Sequence, residues 1–413
     1  MKRRVVVTGM GAITPLGVGL EENWRSLCQG KSGVGAITGF DASSFRTRIA
    51  GEVKGFNPLD FIGRKLVRHG DRFIHFALAA ARMALEDSGL VINAANSERV
   101  GVSVGTAMGG IESIEKNHEL LIKGARQQIS PFFVPSFLCN MAAGQVAIEF
   151  GARGANMCSV TACASGTHAI GDACRAIQWG EVDAMIAGGA EAAIRPLVFA
   201  GLEPVKVMTA RNDEPEKASR PFDKERDGFV IGEGAGVVIL EELEFALSRG
   251  ARIYGEVLGY GFNSDAYHIT APDPDGMGAA SCMRLALSDA GISIDKIDYI
   301  NAHGTSTVLN DLSETRAIKS VFGERSYRIP ISSNKSMLGH MWAGAGVVEA
   351  IFSLMTITQG IIPPTINLET PDPECDLDYV PNSARKAKVK IALSNSFGFG
   401  STNATLILGR FSA

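Results

Sequence analysis

Short apolar runs rich in Val, Ile and Ala alternate with longer amphipathic stretches along the whole 413-residue chain, with no Pro/Ser/Gly linker between them. This alternation constrains the fold most, because short apolar strands separated by helix-length amphipathic segments stack as layers of sheet and helix. It predicts an α/β protein with strands at 4–9, 100–105, 184–188, 236–241, 299–302, 329–332, 391–395 and 404–408. Helices are expected at 74–89, 142–150, 164–179, 279–290, 311–321 and 345–358. In the first of these Phe76, Ala79, Ala80 and Met83 fall at i, i+3, i+4 and i+7, the spacing of one buried helical face.

The chain also echoes itself. Gly101-Val102-Ser103-Val104-Gly105-Thr106 is matched by Ile300-Asn301-Ala302-His303-Gly304-Thr305, and the glycine-rich turn at 229–238 by the one at 396–405. Hydrophobic residues at 46% and charged residues at 20% suit a soluble chain that buries a large core. The net charge of −4 argues against a general nucleic-acid binder. Cys28, Cys139, Cys158, Cys163, Cys174, Cys282 and Cys375 are scattered, odd in number and without CxxC spacing. They read as reduced thiols, neither a disulfide framework nor a zinc site. The expected first strand begins right after Met1-Lys2-Arg3, leaving no room for a signal peptide, and no apolar run reaches membrane-spanning length. A cytoplasmic location is expected.

Three segments carry candidate chemistry. In Val160-Thr161-Ala162-Cys163-Ala164-Ser165-Gly166, an apolar, strand-like run breaks directly into small residues that open a helix. A thiol on the first turn of a helix meets unpaired N–H groups and the positive end of the dipole, which favour the thiolate. The ordinary fate of such a cysteine is packing between helix and sheet. Two glycine-flanked histidines, His303 in Asn301-Ala302-His303-Gly304-Thr305 and His340 in Lys335-Ser336-Met337-Leu338-Gly339-His340, argue for chemistry instead. Further distinctive pieces are Arg220-Pro221-Phe222-Asp223, Arg226-Asp227-Gly228-Phe229 and Gly232-Glu233-Gly234-Ala235-Gly236.

On these residues the chain resembles the elongating, Cys-His-His 3-oxoacyl-(acyl-carrier-protein) synthases (ketoacyl synthase I/II) of the thiolase-like condensing-enzyme superfamily, from Arg4 to Gly400. The resemblance implies a duplicated thiolase-like fold, a five-layered α-β-α-β-α sandwich. Its N-terminal half, 1–250, would carry the nucleophilic cysteine and its C-terminal half, 251–413, both histidines. It implies decarboxylative Claisen condensation of an acyl chain on Cys163 with malonyl-carrier protein. The N–H groups of Cys163 and Phe399 would bind the oxyanion, and His303 and His340 the enolate. Lys335 would be a buried charge tied to acids such as Glu314 or Glu349. Thr270, Thr305 and Thr307 would hydrogen-bond the phosphopantetheine arm, on which substrates arrive. No permanently bound cofactor and no metal are expected.

Met108, Phe133, Leu202, Trp342 and Ser401 would shape the acyl pocket and its gate, and several depart from the family's pattern. Leu202-Glu203-Pro204 replaces a Phe-Gly/Ala-Ala stretch, Trp342 a leucine, and Ser401 a glycine beside Phe399. Pocket shape selects chain length, so these departures bear on specificity. The basic run Arg64, Lys65, Arg68 and Arg72 reads on its own as a solvated face. Carrier proteins are acidic, and Lys65, Arg68 and Lys206 match the family's docking positions. A homodimer is expected. The alternative is a type II polyketide ketosynthase paired with a cysteine-less chain-length-factor homologue.

Overall fold

The computed structural model describes residues 2–412. The first part of the chain supplies strands β1 (Val5–Thr14), β2 (Val100–Gly105), β3 (Asn156–Met157), β4 (Ala184–Glu191) and β5 (Gly234–Glu242). The second supplies β6 (Gly255–Ser264), β7 (Tyr299–Asn301), β8 (Ile331–Ser332), β9 (Ile391–Gly398) and β10 (Thr402–Gly409). They lie in the order β8-β7-β9-β10-β6-β1-β5-β4-β2-β3. From its outer edge, each set of five therefore reads third, second, fourth, fifth, first. The directions match as well. β2 is parallel to β3 and β4, and β7 to β8 and β9. The β4/β5, β5/β1, β9/β10 and β10/β6 pairs are antiparallel. The sets meet through the short antiparallel pairing of Val6 and Val7 with Glu256 and Gly255. The weak sequence echo is thus a full repeat of topology.

Helices cover the strands in three layers. α1 (Arg72–Ser88) and α2 (Met141–Phe150) pack outside the first set, and α4 (Met277–Ala290) and α5 (Val308–Phe322) outside the second. α3 (Ser165–Gln178) and α6 (Ala343–Gln359) lie between them, touching strands of both sets. The result is the five-layered sandwich. Each strand of β1, β4 and β5 is buried at every residue, as strands covered on both faces must be. Helix α6 is buried from Ala343 to Ile357, the pattern of a helix with protein on all sides.

The two central helices begin against each other. A Cβ on Gly166, in the first turn of α3, would lie 2.2 Å from the carbonyl oxygen of Ala343, the first residue of α6. Only glycine permits that approach, and it brings the segments preceding both helices together. All eight expected strands and six expected helices are present. Strand β6 was not expected. Its Gly259 and Gly261 dilute the strand signal, and both are needed there because a Cβ on either would come within 2.4 Å of a backbone carbonyl of α4. Among the described residues no helix is long and apolar enough to cross a membrane.

Candidate active site

Cys163 sits in a single 3₁₀ turn, Ala162–Ala164, that runs straight into α3. The apolar strand expected before it is not formed. Strand β3 ends at Met157, Val160 is exposed, and the chain turns instead. The Ser165 hydroxyl accepts from the Thr161 N–H (2.9 Å) and donates to the Ala162 carbonyl (2.7 Å), tightening a turn in which Ala162 takes φ 50°. A non-glycine residue in the left-handed region is strained, and here the strain presents the thiol. The electrostatics also differ from the sequence-based expectation of a thiolate. Burial pushes the Cys163 thiol up to about 12, against the opposing N–H of Phe399, the charge of Lys335 and its own N–H. The resting group is a neutral thiol with two backbone N–H groups converging on its sulfur.

His340 is held by the glycine-rich segment after Phe229. Its N–H donates to the Val230 carbonyl (2.7 Å), and its carbonyl accepts from Gly232 (2.9 Å). The Trp342 N–H donates to His340 Nδ1 (3.3 Å), so Nδ1 is the acceptor and Nε2 carries the proton. His303 follows β7, where the Glu314 carboxylate accepts from the His303 N–H (2.9 Å) and the Gly304 N–H (2.8 Å). Burial, aided by the charge of Lys335, drives both imidazoles well below their ordinary range; for His303 the neighbouring His340 adds to this. Both rings are therefore neutral. Their centroids lie 5.4 Å apart at 85°. Ligand-type atoms of Cys163, His303 and His340 all fall within 4.8 Å of one another. Such a set could grip a soft dication, but the Lys335 ammonium that helps keep the rings unprotonated opposes a second cation there.

Lys335 is 1% exposed and pairs with the equally buried Glu349 of α6. Glu314 turns to the His303 backbone instead, so of the two acids offered by the sequence Glu349 is the partner. Burial raises Glu349 to about 7 and Glu314 to about 6, against the ammonium in the first case and the backbone donors in the second. The 220–229 motif clamps the loop after His303. Asp311 accepts from the N–H groups of Phe222 (2.9 Å) and Ser306 (3.2 Å), and the Ser306 hydroxyl accepts from Arg220 N–H (2.9 Å). Gly228 N–H donates to the Ser306 carbonyl (3.0 Å), and Arg226 donates to the Thr307 and Val308 carbonyls. Sequence reading missed Glu191. Wholly buried, it accepts from Thr106 and from the N–H groups of Ala107 and Met108, and burial raises it to about 7. An acid ending an otherwise apolar strand was the available signal.

A cavity of about 270 Å³ opens onto Cys163, His303, His340 and Phe399. Thr270, Thr305, Thr307 and Lys206 line the same cavity. The arrangement offers a nucleophile, two backbone donors for an oxyanion and two neutral imidazoles at the floor of a channel.

Family models match the two parts of the chain in turn. Residues 2–246 match the beta-ketoacyl synthase N-terminal domain and residues 254–369 the C-terminal domain. The chain belongs to the beta-ketoacyl synthase family. It is 53% identical to 3-oxoacyl-[acyl-carrier-protein] synthase 2 of Synechocystis sp. over 99% of both chains. Among solved structures it is similar to the ishigamide ketosynthase/chain length factor, with TM-score 0.93, 40% identity and 100% of each chain covered. It is also similar to a type II polyketide ketosynthase solved with its acyl-carrier protein and bound to the hexaketide, with TM-score 0.92, 38% identity and 100% of each chain covered.

Against that family's pattern, the pocket residues divide. Trp342 and Ser401 line the cavity. Met108 and Leu202 pack instead in the apolar cluster behind Cys163, with Phe199, Phe229, Trp342 and Phe399. Phe133 is in neither. It lies on the short helix Phe133–Phe137 against Phe137, beside exposed Phe132 and Val134. Ser401 takes φ 61°, the backbone suited to the glycine it replaces. Its hydroxyl donates to the His268 carbonyl (3.0 Å) and accepts from the N–H groups of Tyr267 (3.3 Å) and His268 (3.4 Å). Lys65 and Arg68 are exposed on the helix Arg64–His69, away from the cavity lining. Arg72 leaves the basic run altogether, since it is paired with Glu233 at 2.7 Å and covers the Phe76 ring.

Proposed function

We propose that this beta-ketoacyl synthase condenses an acyl chain held on Cys163 with malonyl-carrier protein, and that the named residues divide the work as follows. The sulfur attacks the carbonyl carbon of an acyl thioester. Its proton passes through a neutral imidazole to the departing pantetheine thiol, and the N–H groups of Cys163 and Phe399 hold the oxyanion. A malonyl thioester then enters the same channel and loses its carboxylate as CO2. The electron pair left behind is an enolate whose oxygen accepts from His303 and His340. The enolate carbon attacks the acyl carbon, the bond to Cys163 breaks, and the departing sulfur takes a proton from solvent, the first one having left with the pantetheine thiol. Burial, aided by the charge of Lys335 that Glu349 fixes, keeps both imidazoles neutral and so able to donate without carrying charge.

The observation that carries this reading is the convergence of one thiol, two neutral imidazoles and two backbone N–H groups at the floor of one channel. The 1–250 half brings the nucleophile and the 251–413 half both histidines. Thr270, Thr305 and Thr307 hold the phosphopantetheine arm, and no permanently bound cofactor is needed. Lys206 of the cavity lining, with Lys65 and Arg68, steers an acidic acyl carrier protein. The exposed apolar residues Phe132, Val134, Leu138 and Ile148, together with the unpaired outer edge of β3, suit pairing with a second copy of the chain in the cytoplasm. Fatty-acid-type elongation is favoured over the polyketide reading by the 53% identity to a 3-oxoacyl-carrier-protein synthase against 40% to a ketosynthase/chain length factor.

Intact-protein mass spectrometry after incubation with acyl-carrier proteins tests the assignment. Wild type should gain one acyl group, and Cys163→Ala none while its melting curve is retained. An acyl adduct on the alanine variant would overturn the reading.

A further inference from the structure

The backbone donor of Phe399 sits on the least supported piece of the sheet. Phe399-Gly400-Ser401 joins β9 to β10, and the ladder between these strands ends at the pair Gly398 and Thr402. Gly400 and Ser401 both lie in the left-handed region, at φ 84° and 61°. No strand neighbour therefore fixes Phe399, although its N–H must stay aimed at Cys163.

The segment that follows β6 holds this tip. Its Asp265 N–H donates to the Ser401 carbonyl (2.8 Å), and its Ile269 carbonyl accepts from the Gly400 N–H (2.8 Å). Any residue at 401 could accept the first of these bonds, and glycine would take the left-handed backbone without strain. Serine is strained there. What it adds is a hydroxyl that donates to the His268 carbonyl (3.0 Å) and accepts from the N–H groups of Tyr267 (3.3 Å) and His268 (3.4 Å). All three bonds go to the middle of the same segment.

That segment is ordered in its own right. Asn403 of β10 donates to the Asp265 carboxylate (2.6 Å), and His268 Nδ1 accepts from the N–H groups of Thr270 (3.1 Å) and Ala271 (3.2 Å). Asp265, His268, Thr270 and Ala271 line the cavity together with Phe399 and Ser401. The Ser401 hydroxyl thus ties a flexible hairpin tip to a fixed stretch of the cavity wall.

We propose that Ser401 is a positioning residue for the oxyanion donor, its hydroxyl holding the hairpin tip so that the Phe399 N–H points at the oxygen of the carbonyl that Cys163 attacks. A donor stabilises an oxyanion to the extent that it needs no reorientation as the charge develops. A tip with two left-handed residues and no ladder would otherwise have to be reoriented at that moment. The inference rests on the assignment of Cys163 as the acylated thiol and of the Phe399 N–H as its oxyanion donor.

Two variants test it. Ser401→Gly removes the hydroxyl and relieves the backbone, whereas Ser401→Ala removes the hydroxyl and keeps the strain. The readout is the rate of single-turnover acylation of Cys163 at saturating acyl-carrier protein, divided by the rate of CO2 release from malonyl-carrier protein in the matching Cys163→Gln background. Decarboxylation takes its donors from His303 and His340, so both variants should lower this ratio about tenfold, the effect of loosening one donor without deleting it. A merely structural role would slow both half-reactions together and leave the ratio unmoved, which would overturn the proposal. A lowered ratio in the alanine variant alone would also overturn it, because the backbone and not the hydroxyl would then be responsible. Should the alanine variant not fold, the glycine variant decides alone, and an unmoved ratio there is fatal. Mass spectrometry separates the two levels. No adduct on wild type defeats the assignment of Cys163, whereas an adduct with an unmoved ratio defeats only the role of Ser401.

Discussion

The two halves of the chain are the same scaffold carrying different chemistry. In each, a loop follows the second strand and a tight segment precedes the central helix. In the first half these places hold Ala107-Met108 and Cys163; in the second they hold His303-Gly304 and His340. Even the strain repeats, with Ala162 at φ 50° just before Cys163 and Trp342 at φ 49° two residues after His340. A buried carboxylate gathers the loop N–H groups in both, Glu191 in the first half and Glu314 in the second. What differs is the side chain presented and the ion pair behind it. Burial holds both imidazoles of the second half neutral, and Lys335, the buried ammonium among the described residues, adds to it. The fold supplies two equivalent sockets meeting where α3 and α6 touch. The division between nucleophile and hydrogen-bond donors is a matter of which residue fills each.

That comparison breaks if the sockets do not act separately. His303→Ala and His340→Ala should each slow malonyl decarboxylation by about 10²–10³-fold, the worth of one preorganised donor. Acylation of Cys163 should suffer less, because its two N–H donors lie elsewhere and the remaining imidazole can still relay the thiol proton. Single-turnover assays of each half-reaction measure this, and equal losses in both would erase the distinction between the halves.

A smaller effect sharpens the resemblance between the two carboxylates. Burial raises Glu191 from an ordinary 4.5 to about 7, so the folded state binds the extra proton between these values. Wild-type stability from this group is thus full below about pH 4.5 and is lost as the pH rises to 7. Glutamine does not titrate, so Glu191→Gln should gain on wild type across that window by about 1–3 kcal/mol. For Glu314→Gln the gain should stop near pH 6, where that carboxyl titrates. Denaturant unfolding at a series of pH values reads both, and parallel wild-type and variant curves would contradict the account.

Much of this was legible beforehand. The strand and helix alternation announced the layers, and glycine-flanked His303 and His340 with Cys163 announced the site. What stayed hidden depended on contacts distant in sequence. Strand β6 is disguised by glycines that α4 requires. The turn at Cys163 is made by Ser165 hydrogen bonds that an apolar run conceals. The expected thiolate considered the helix end alone, whereas burial dominates once the layers close. Phe133 and Arg72 were placed by sequence position, but the first lies apart from the cavity and the second is consumed by Glu233.

The central claim is that the second half decarboxylates independently of the thiol in the first. Cys163→Gln tests it most directly, since an amide stands where the acyl thioester would be and cannot act as a nucleophile. With malonyl-carrier protein as sole substrate, CO2 release should persist at or above the wild-type rate, while condensation with an added acyl-carrier protein is abolished. If CO2 release falls together with condensation, the two sockets are one, and the account is contradicted.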